Sequence, residues 1–518
     1  MISATEEITH PRLLDLLALT AGGLSVFSFA PFGYSALAPL SLFLLFGAWT
    51  TATPARAALR GFLFGLGQFG AGVSWVYISM HDYSGADVME AAGLTGLLVA
   101  GFAVYPALAG WLALLAIGRE RTAWGAPILF PVTWIGIEWL RGWFLTGFPW
   151  LQVGYSQIDT WIGQAMAPLG GVHAAGSVVA LIAGLSLVML GPGQARRQRV
   201  IAGLLAVGLV ASCFPLSRIA WTRPEGRPVS VALLQGNVSQ RVKWLPETKQ
   251  ATLTKYRDLT RQNWDARLIV WPETAVPAFL HQVKDGYLAE LQAEATEHGT
   301  DVLIGIPVMN ELTRRYTNSM LSLAPEGGFY HKRHMVPFGE YLPLRTWLGV
   351  ILDILQIPLA DFEPGEPRQP SLRAVGYPMA ASICFEDVFG AEARSNLHEA
   401  AYLVNITNDA WFGDSIEPYQ HHQMARMRAL EAGRYMLRAT NTGITSIIGP
   451  NGQVLTQLPL FYEGALRGQF QPMLGLTPYA RFGDMPIVAL LSLALLIFRA
   501  KSWNRFGLSR LKSEAGDS

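Results

Sequence analysis

The sequence predicts a multi-pass α-helical membrane domain of about eight spans, joined to an extracytoplasmic α/β domain. Of 518 residues, 51% are hydrophobic and only 15% are charged, whereas soluble domains average about 25% charged residues. Long apolar runs lie at the two ends of the chain, and the block between them alternates short β-branched runs with polar helical stretches. We therefore expect a membrane domain of seven spans at residues 1–221, the α/β domain at 222–475, and a last span with a cytoplasmic tail at 476–518.

Each predicted span is an apolar run close to the roughly 20 residues that cross a hydrocarbon core. These runs lie near residues 13–30, 34–51, 58–80, 91–117, 123–140, 164–191, 199–217 and 485–499. The last run is the shortest. Glu6 and Glu7, rather than a basic cluster, precede the first run, so we expect a retained span and not a cleaved signal peptide.

Basic residues occur in every second connection between the predicted spans. They are Arg56 and Arg60, then Arg119 and Arg121, then Arg196, Arg197 and Arg199, and finally Arg499, Lys501, Arg505, Arg510 and Lys512. The positive-inside rule assigns these connections to the cytoplasm, which leaves the α/β block outside. The 39 basic and 38 acidic side chains nearly cancel, so we expect a lipid bilayer as partner and no nucleic acid.

The central block has the alternation of an α/β domain. Six runs have the length and β-branched composition of strands: 229–237, 267–273, 301–308, 377–386, 402–409 and 442–449. Helical spacing appears at 246–264, 283–298 and 417–437. About 240 residues with this pattern predict one α/β domain.

Three unlike reactive side chains stand at the ends of apolar runs in this block: Glu273, Lys332 and Cys384. The other cysteine, Cys213, lies inside an apolar run. A thiolate attacks carbonyls, and Lys332 can supply the positive charge that favours it, while Glu273 can accept its proton. The ammonium group and the Phe385 backbone N–H can then hold an oxyanion. Strand-end lysines and glutamates are more often solvated or paired, and a lone cysteine is often a buried hydrophobe, so spacing alone leaves these readings open.

The motifs around this trio resemble the nitrilase superfamily. In order along the chain they are WPETAVP around Glu273, YHKRHMVPFGEYLP around Lys332, SICFED around Cys384, NITNDAWFG at 405–413 and HHQMARMRALE at 421–431. With the membrane flanks and GFPWLQVGYSQ at 147–157, nearly the whole chain is similar to the apolipoprotein N-acyltransferase family.

That resemblance implies a nitrilase-like αββα sandwich and transfer of an acyl chain from a phospholipid to the N-terminal amino group of a diacylglyceryl-cysteine apolipoprotein. It makes Glu273 the general base, Lys332 the group that stabilises the tetrahedral intermediate, and Cys384 the thioacyl-enzyme nucleophile. It also implies a monomer in the bacterial inner membrane, with its catalytic domain facing the periplasm and with neither cofactor nor metal.

Further residues follow from the same resemblance. Glu340 in VPFGE is the second glutamate near the lysine, and Phe385 and Glu386 support the site. Phe385 stands where some relatives have tyrosine, which puts any hydroxyl function there in doubt. The residues expected to contact substrate are Trp150, Trp244, Tyr341, Trp347 and Trp411.

Two other functions stay open from the sequence. A membrane-tethered amidase would pass the acyl group to water rather than to an amine. A non-catalytic lipid-binding or transport protein would carry ionisable residues within its spans, and here Glu138 and Arg141 lie only near the end of one.

Other patterns are less informative about function. GLGQFG at 65–70 matches a dinucleotide fingerprint but lies inside an apolar span, where small residues favour close helix packing. The adjacent His421 and His422 point to different faces of a helix and are poor joint metal ligands. The apolar stretch 342–359 fits either a core helix or a lid at the bilayer surface.

Overall fold

The computed structural model describes residues 11–118, 124–337, 339–341 and 362–498. The chain divides into two compact units. The first comprises residues 1–74, 93–219 and 484–518, and the second comprises residues 75–92 and 220–483. The domain boundaries expected from the sequence stay predictions.

Helices make up the first unit, and each of the eight predicted spans overlaps a helix, although the run expected at 58–80 extends beyond the end of its helix at Gly72. Their bounds are α1 Pro11–Ser25, α2 Leu37–Thr50, α3 Pro54–Gly72, α4 Val88–Ile117, α5 Gly125–Arg141, α6 Trp161–Leu190 and α7 Arg196–Leu216, and a final helix at Met485–Phe498. Shorter turns lie at Val26–Ser28, Phe144–Thr146 and Val153–Gln157.

Among the described residues, three helices are long and apolar enough to cross a membrane, namely α4, α6 and α7. A fourth is added if α3 and the helical segment that resumes at Val76 count as one span. The expected eight spans therefore stay a prediction.

Small residues bring the helices of the first unit into close contact. A Cβ atom added at Gly67 would lie 2.1 Å from the Leu19 carbonyl oxygen on α1, and one added at Gly65 would lie 2.6 Å from the Ala103 Cα on α4. Such distances leave no room for a side chain. The GLGQFG run therefore serves helix packing, as the sequence indicated.

Two six-stranded sheets and a two-stranded sheet form the framework of the second unit. The strands are β1 Arg223–Pro224, β2 Val229–Gln235, β3 Leu268–Val270, β4 Asp301–Met309, β5 Tyr316–Ser322, β6 Gly328–His331, β7 Leu372–Ala374, β8 Tyr377–Ile383, β9 Tyr402–Thr407, β10 Met436–Thr440, β11 Ser446–Ile448, β12 Val454–Gln457, β13 Gly464–Phe470 and β14 Met473–Leu474. One sheet has the order β13-β2-β3-β4-β5-β6, the other β12-β11-β10-β9-β8-β7, and β1 pairs with β14.

Alternation along each strand places the two large sheets face to face. On β2, Val231 and Leu233 belong to the same buried cluster as Val404 and Ile406 of β9. Their neighbours on β2 point the other way, because successive side chains of a strand face opposite sides. The apolar core between the sheets therefore draws on alternate residues of both.

Helices cover the outer faces of the two sheets. They are α8 Pro246–Arg261, α9 Ala289–His298 and α10 Glu417–Ala432, with short helical turns at Val76–Ile78, Ser79–Tyr83, Leu280–Val283, Lys284–Leu288, Cys384–Val388, Gly390–Ala393, Asp409–Phe412 and Pro478–Phe482. Leu253 on α8 and Leu291 on α9 pack with the outer residues of β2. Ala425 on α10 packs with Leu403 on the outer face of β9. The second unit is a four-layer α/β sandwich.

Each predicted strand and helix overlaps an observed one, but several bounds differ. The strand expected over 377–386 ends at Ile383, and a helical turn follows it. The helix expected over 417–437 ends at Ala432, because Gly433 adopts a left-handed conformation (φ 61°) that terminates it. Strand β10 then begins at Met436. The expected strand at 442–449 shortens to β11. Strands β1, β5, β6, β7, β10, β12, β13 and β14 lie outside the predicted strands.

Candidate active site

The first predicted catalytic residue, Glu273, lies just beyond the end of β3 and is buried. Its Oε1 accepts a hydrogen bond of 2.6 Å from Asn318 Nδ2 on β5. The chain approaches β4 closely here, since a Cβ atom added at Gly305 would lie 2.2 Å from the Pro272 carbonyl oxygen. The missing side chain at Gly305 thus sets the position of the glutamate backbone.

Lys332 follows β6, and the strand order brings it to the same sheet edge as Glu273. Strand β3 runs parallel to β4, β5 runs antiparallel to β4, and β6 runs antiparallel to β5. Strands β3 and β6 therefore run in the same direction, and their carboxyl ends lie at the same edge of the sheet. The buried Nζ of Lys332 lies 2.7 Å from Glu340 Oε1 and 3.7 Å from Glu273 Oε1. Asn318 connects the two sites, because its carbonyl accepts from the Lys332 backbone N–H at 2.8 Å.

Cys384 begins the helical turn that follows β8 in the facing sheet. Its φ of +52° lies in the left-handed region, which is uncommon for a residue with a side chain. Strain of this kind concentrates at active sites. Cys384 is partly exposed, whereas Cys213 is buried.

Glu386 connects the lysine loop to the cysteine turn. Its Oε2 accepts from the Ile383 backbone N–H at 2.7 Å and from the Tyr330 hydroxyl at 3.0 Å. Its Oε1 accepts from the backbone N–H groups of Arg333 at 2.6 Å and His334 at 3.2 Å. This buried carboxylate thereby fixes the residue before Cys384 and the two residues after Lys332.

The charges of the three predicted catalytic groups act on one another. Burial lowers the pKa of Lys332, but the carboxylates of Glu340 and Glu273 outweigh burial and leave this pKa above its usual value. Burial raises the pKa of Glu273, Lys332 opposes that rise, and Glu340 adds to it. Burial also raises the pKa of the Cys384 thiol well above its usual value, with Glu273 adding to the rise and Lys332 opposing it.

Lys332 lowers the pKa of the Cys384 thiol, in the direction that favours a thiolate, but burial and Glu273 outweigh it. The resting group is therefore a protonated thiol. The Lys332 ammonium stays charged. If Cys384 is a nucleophile, as predicted, its proton has to pass to a nearby base as it attacks.

A buried ion network lies behind the cysteine turn. The Arg438 guanidinium donates to Asp387 Oδ2 at 2.8 Å and to Asp409 Oδ2 at 3.3 Å. The two ring nitrogens of His421 lie 2.8 Å from Asp387 Oδ1 and 3.1 Å from Asp409 Oδ1. Thr407 on β9 donates to Asp409 Oδ1 at 3.1 Å. Through Asp387, the network connects the helical turn that begins at Cys384 to strand β10 and helix α10.

The protonation state of His421 determines whether this network can bind a metal ion. Burial and Arg438 lower its pKa, but Asp387 and Asp409 outweigh them and raise it to about 10. In the part of the chain that the structure describes, Asp409, Glu417 and His421 form the one group whose ligand atoms are close enough for a metal ion. An imidazolium with both nitrogens donating has no lone pair for a metal, so the arrangement favours an ion network.

Two family models match the chain. The model described as Apolipoprotein N-acyltransferase N-terminal domain matches residues 21–185, and the model described as Carbon-nitrogen hydrolase matches residues 230–479. The protein named Apolipoprotein N-acyltransferase from Methylococcus capsulatus is 55% identical over 478 residues, which cover 92% of this chain and 94% of that protein. This chain belongs to the apolipoprotein N-acyltransferase family.

A second relative of the same name, from Nitrosomonas europaea, is 44% identical over 490 residues, which cover 94% of this chain and 96% of that protein. The crystal structure of Saccharomyces cerevisiae Nit3, a nitrilase superfamily member, matches 48% of this chain and 91% of its own with 16% identity and a TM-score of 0.37. The family resemblance, the nitrilase-like α/β fold and the acyltransferase class predicted from the motifs are confirmed.

The structure places the remaining predicted residues as follows. Trp244 and Trp411 are 45% and 39% exposed on the second unit. Tyr341 is partly buried and its backbone pairs with that of Pro337. Trp150 is buried in the first unit, where its carbonyl accepts from Arg141. The roles of these four in substrate binding stay predictions.

Trp347 and the apolar stretch 342–359 lie outside the described residues. Phe385 is buried, and its ring contacts those of His334 and Phe389 at centroid distances of 5.6 and 5.0 Å. A phenyl ring suits this aromatic cluster.

Several site residues escaped sequence reasoning. Asn318, which orients Glu273, lies on strand β5, which was not predicted at all. Lys243 donates to the Thr274 hydroxyl at 2.6 Å and to the Glu273 carbonyl at 3.3 Å. Its one signal in the sequence is its place beside Trp244, a predicted substrate contact.

Proposed function

We propose that this enzyme transfers an acyl chain from a membrane phospholipid to the N-terminal amino group of diacylglyceryl-cysteine apolipoproteins through a thioester on Cys384. One observation carries the proposal. A buried lysine ammonium lies 3.7 Å from the carboxylate of Glu273, and the charges of both act on the Cys384 thiol. A base, a fixed positive charge and a nucleophile whose charges act on one another are what acyl transfer through a covalent intermediate requires.

In the first half-reaction, the Cys384 sulfur attacks the ester carbonyl of the phospholipid while its proton passes to Glu273. The Lys332 ammonium and the Phe385 backbone N–H stabilise the tetrahedral oxyanion. When the intermediate collapses, the carbon–oxygen bond breaks and the departing lysophospholipid alkoxide takes the proton from Glu273. Glu340 keeps the ammonium in place through its 2.7 Å contact.

In the second half-reaction, the α-amino group of the acceptor attacks the thioester and Glu273 accepts a proton from the nitrogen. The carbon–sulfur bond breaks as the amide forms, and the sulfur recovers a proton from Glu273. Splitting the exchange in two makes each step easier than direct aminolysis of an unreactive ester.

The lipid substrates explain the membrane setting that we propose. We infer an inner-membrane enzyme with seven spans at 1–221, the catalytic domain at 222–475 on the periplasmic side, and a last span within 476–518. We infer a monomer with no cofactor and no metal. Trp150, Trp244, Tyr341, Trp347 and Trp411 are proposed substrate contacts, because aromatic side chains suit the boundary between headgroups and acyl chains.

The test is acylation of variants with intact-mass detection after incubation with phospholipid vesicles. Glu273→Gln and Lys332→Met are each expected to show no acyl adduct, since base and cation act in the same step. Lys332→Arg is expected to fail too, because a guanidinium differs in size and shape from an ammonium. Lys255→Met is the matched control, since this α8 lysine bonds to the Gly236 carbonyl and Glu463. Rapid acylation of either site variant contradicts its assigned role.

A further inference from the structure

Lys243 is a buried lysine that the mechanism above does not use. Its side chain is 2% exposed, although the neighbouring Val242 and Trp244 are both exposed. A buried ammonium loses much of its hydration and needs strong partners. Its hydrogen-bond partners are a hydroxyl and a carbonyl, those of Thr274 and Glu273. Among the described residues, no carboxylate lies within ion-pair distance of Lys243.

The position that Lys243 contacts is strained. Thr274 has a φ of +46°, and a β-branched residue in the left-handed region is a genuine outlier. Such a conformation persists only where its surroundings enforce it. The 2.6 Å bond from the Lys243 ammonium to the Thr274 hydroxyl supplies that constraint on the residue next to the general base.

The charge of Lys243 also acts on the Glu273 carboxylate. The groups that face Glu273 are Lys332, Glu340 and Cys384, with Asn318 as a neutral donor. Lys332 lies nearer to Glu340, at 2.7 Å, than to Glu273, at 3.7 Å, and the negative charge of Glu340 opposes ionisation of Glu273.

Lys243 provides a second positive charge there. Glu273 in turn supports the protonated lysine, whose pKa burial lowers to about 8. The lysine is therefore charged at neutral pH.

We propose that Lys243 is a positioning residue for the general base: its ammonium group fixes the strained Glu273–Thr274 backbone and keeps the Glu273 carboxylate ionised. Its bonds go to backbone and hydroxyl groups and not to reacting atoms. This inference rests on the proposed function of Glu273 as the base for Cys384. It adds a second cation to the site, with a task distinct from that of Lys332.

The experiment measures thiol activation without any lipid. In a Cys213→Ala background, alkylation of Cys384 by iodoacetamide is followed by intact mass from pH 5 to pH 10. Removing the positive charge in Lys243→Met makes Glu273 harder to ionise, so we expect the acid limb of the rate profile to move up by about 1 pH unit. Lys243→Arg keeps the positive charge, so its acid limb is expected to lie nearer to that of the wild type than the limb of Lys243→Met. The remote Lys255→Met is expected to leave the acid limb of the wild type unchanged.

A second variant separates orientation from charge. Thr274→Val keeps the ammonium but removes the hydroxyl, so the plateau rate is expected to fall about tenfold with the acid limb in place. An acid limb that does not move in folded Lys243→Met overturns the proposal. If Lys243→Met does not fold, two other results overturn the proposal. One is an unchanged plateau rate in Thr274→Val. The other is an acid limb in Lys243→Arg that moves up as far as the loss of the positive charge would move it.

The same assay keeps this proposal distinct from the acyltransferase mechanism. Alkylation needs neither phospholipid nor acceptor, so a shifted limb in an enzyme that forms no acyl adduct supports Lys243 and rejects the proposed reaction. An enzyme that forms the acyl adduct but whose acid limb does not move in Lys243→Met supports the proposed reaction and rejects the role of Lys243.

Discussion

Glu386→Gln offers a graded test of how the site is held together. The Glu386 carboxylate accepts four hydrogen bonds, two on each oxygen, from Tyr330, Ile383, Arg333 and His334. In glutamine one oxygen becomes an NH₂ group, so two of the four donors lose their acceptor and face another donor. Each unsatisfied buried donor costs about 1–3 kcal/mol, which gives about 2–6 kcal/mol in total. That is a large fraction of the roughly 5–15 kcal/mol that stabilises a folded protein.

Two variants calibrate this estimate. Tyr330→Phe removes one donor to Glu386 and also the acceptor of the partly buried Arg333 Nε–H, so it is expected to cost about 1–2 kcal/mol. Glu392→Gln changes a partly exposed carboxylate whose partner is the His334 ring, and it is expected to cost no more than about 1 kcal/mol. Unfolding is followed in detergent by tryptophan fluorescence, and Cys384 acylation by intact mass. The reasoning is refuted if Glu386→Gln unfolds within about 0.5 kcal/mol of the wild type and acylates normally.

Three further predictions address the nucleophile, the backbone and the ion network. Cys384→Ala is expected to stay folded and to lose both acyl-enzyme and product, whereas Cys213→Ala is nearly silent; equal losses of activity would undo the assignment. Gly305→Ala displaces the Glu273 backbone, and we expect about 1–3 kcal/mol of destabilisation and a roughly 100-fold slower acylation. Gly286→Ala, which has open space around it, is the control, and an equal loss in both variants would contradict the close approach. His421→Gln removes a cation whose pKa in the folded protein, about 10, exceeds its ordinary 6.5. The stability that the charged imidazole contributes is complete below about pH 6.5 and is lost as the pH rises through about 10. The free energy of unfolding of the wild type should therefore exceed that of the variant by about 3–5 kcal/mol near pH 6, and by less at pH 10. A pH-independent difference would count against the imidazolium.

Local pattern predicted much of the fold because burial imposes a period on each element. Runs such as 229–237 and 402–409 are short, contain β-branched residues and end in polar or turn residues, and both contain strands. Strand β13, at Gly464–Phe470, escaped prediction because it contains two glycines and charged Arg467, and because its partner β2 lies more than 200 residues away. Such pairing is decided by register, which no local window contains.

The positions of the three predicted catalytic residues at strand ends were predictable for a related reason, because Glu273, Lys332 and Cys384 each follow an apolar run. Glu273 and Lys332 share one edge of their sheet, and Cys384 follows a strand of the facing sheet. The supporting residues were not predictable, because their partners are fixed only by the folded register. Arg438 reaches Asp387 across 51 positions in sequence, and neither residue has a local signal that names the other.

The central claim is that Cys384 carries the acyl chain between a phospholipid and an amine. The most direct measurement is intact mass of the purified enzyme with phospholipid vesicles, followed by addition of a peptide with a diacylglyceryl-modified N-terminal cysteine. We predict an acyl adduct on Cys384 that disappears on addition of the peptide as the amide-linked product forms in equal amount. Release of free fatty acid with no acylated peptide would indicate a hydrolase, and an adduct that persists in Cys384→Ala would contradict the account outright.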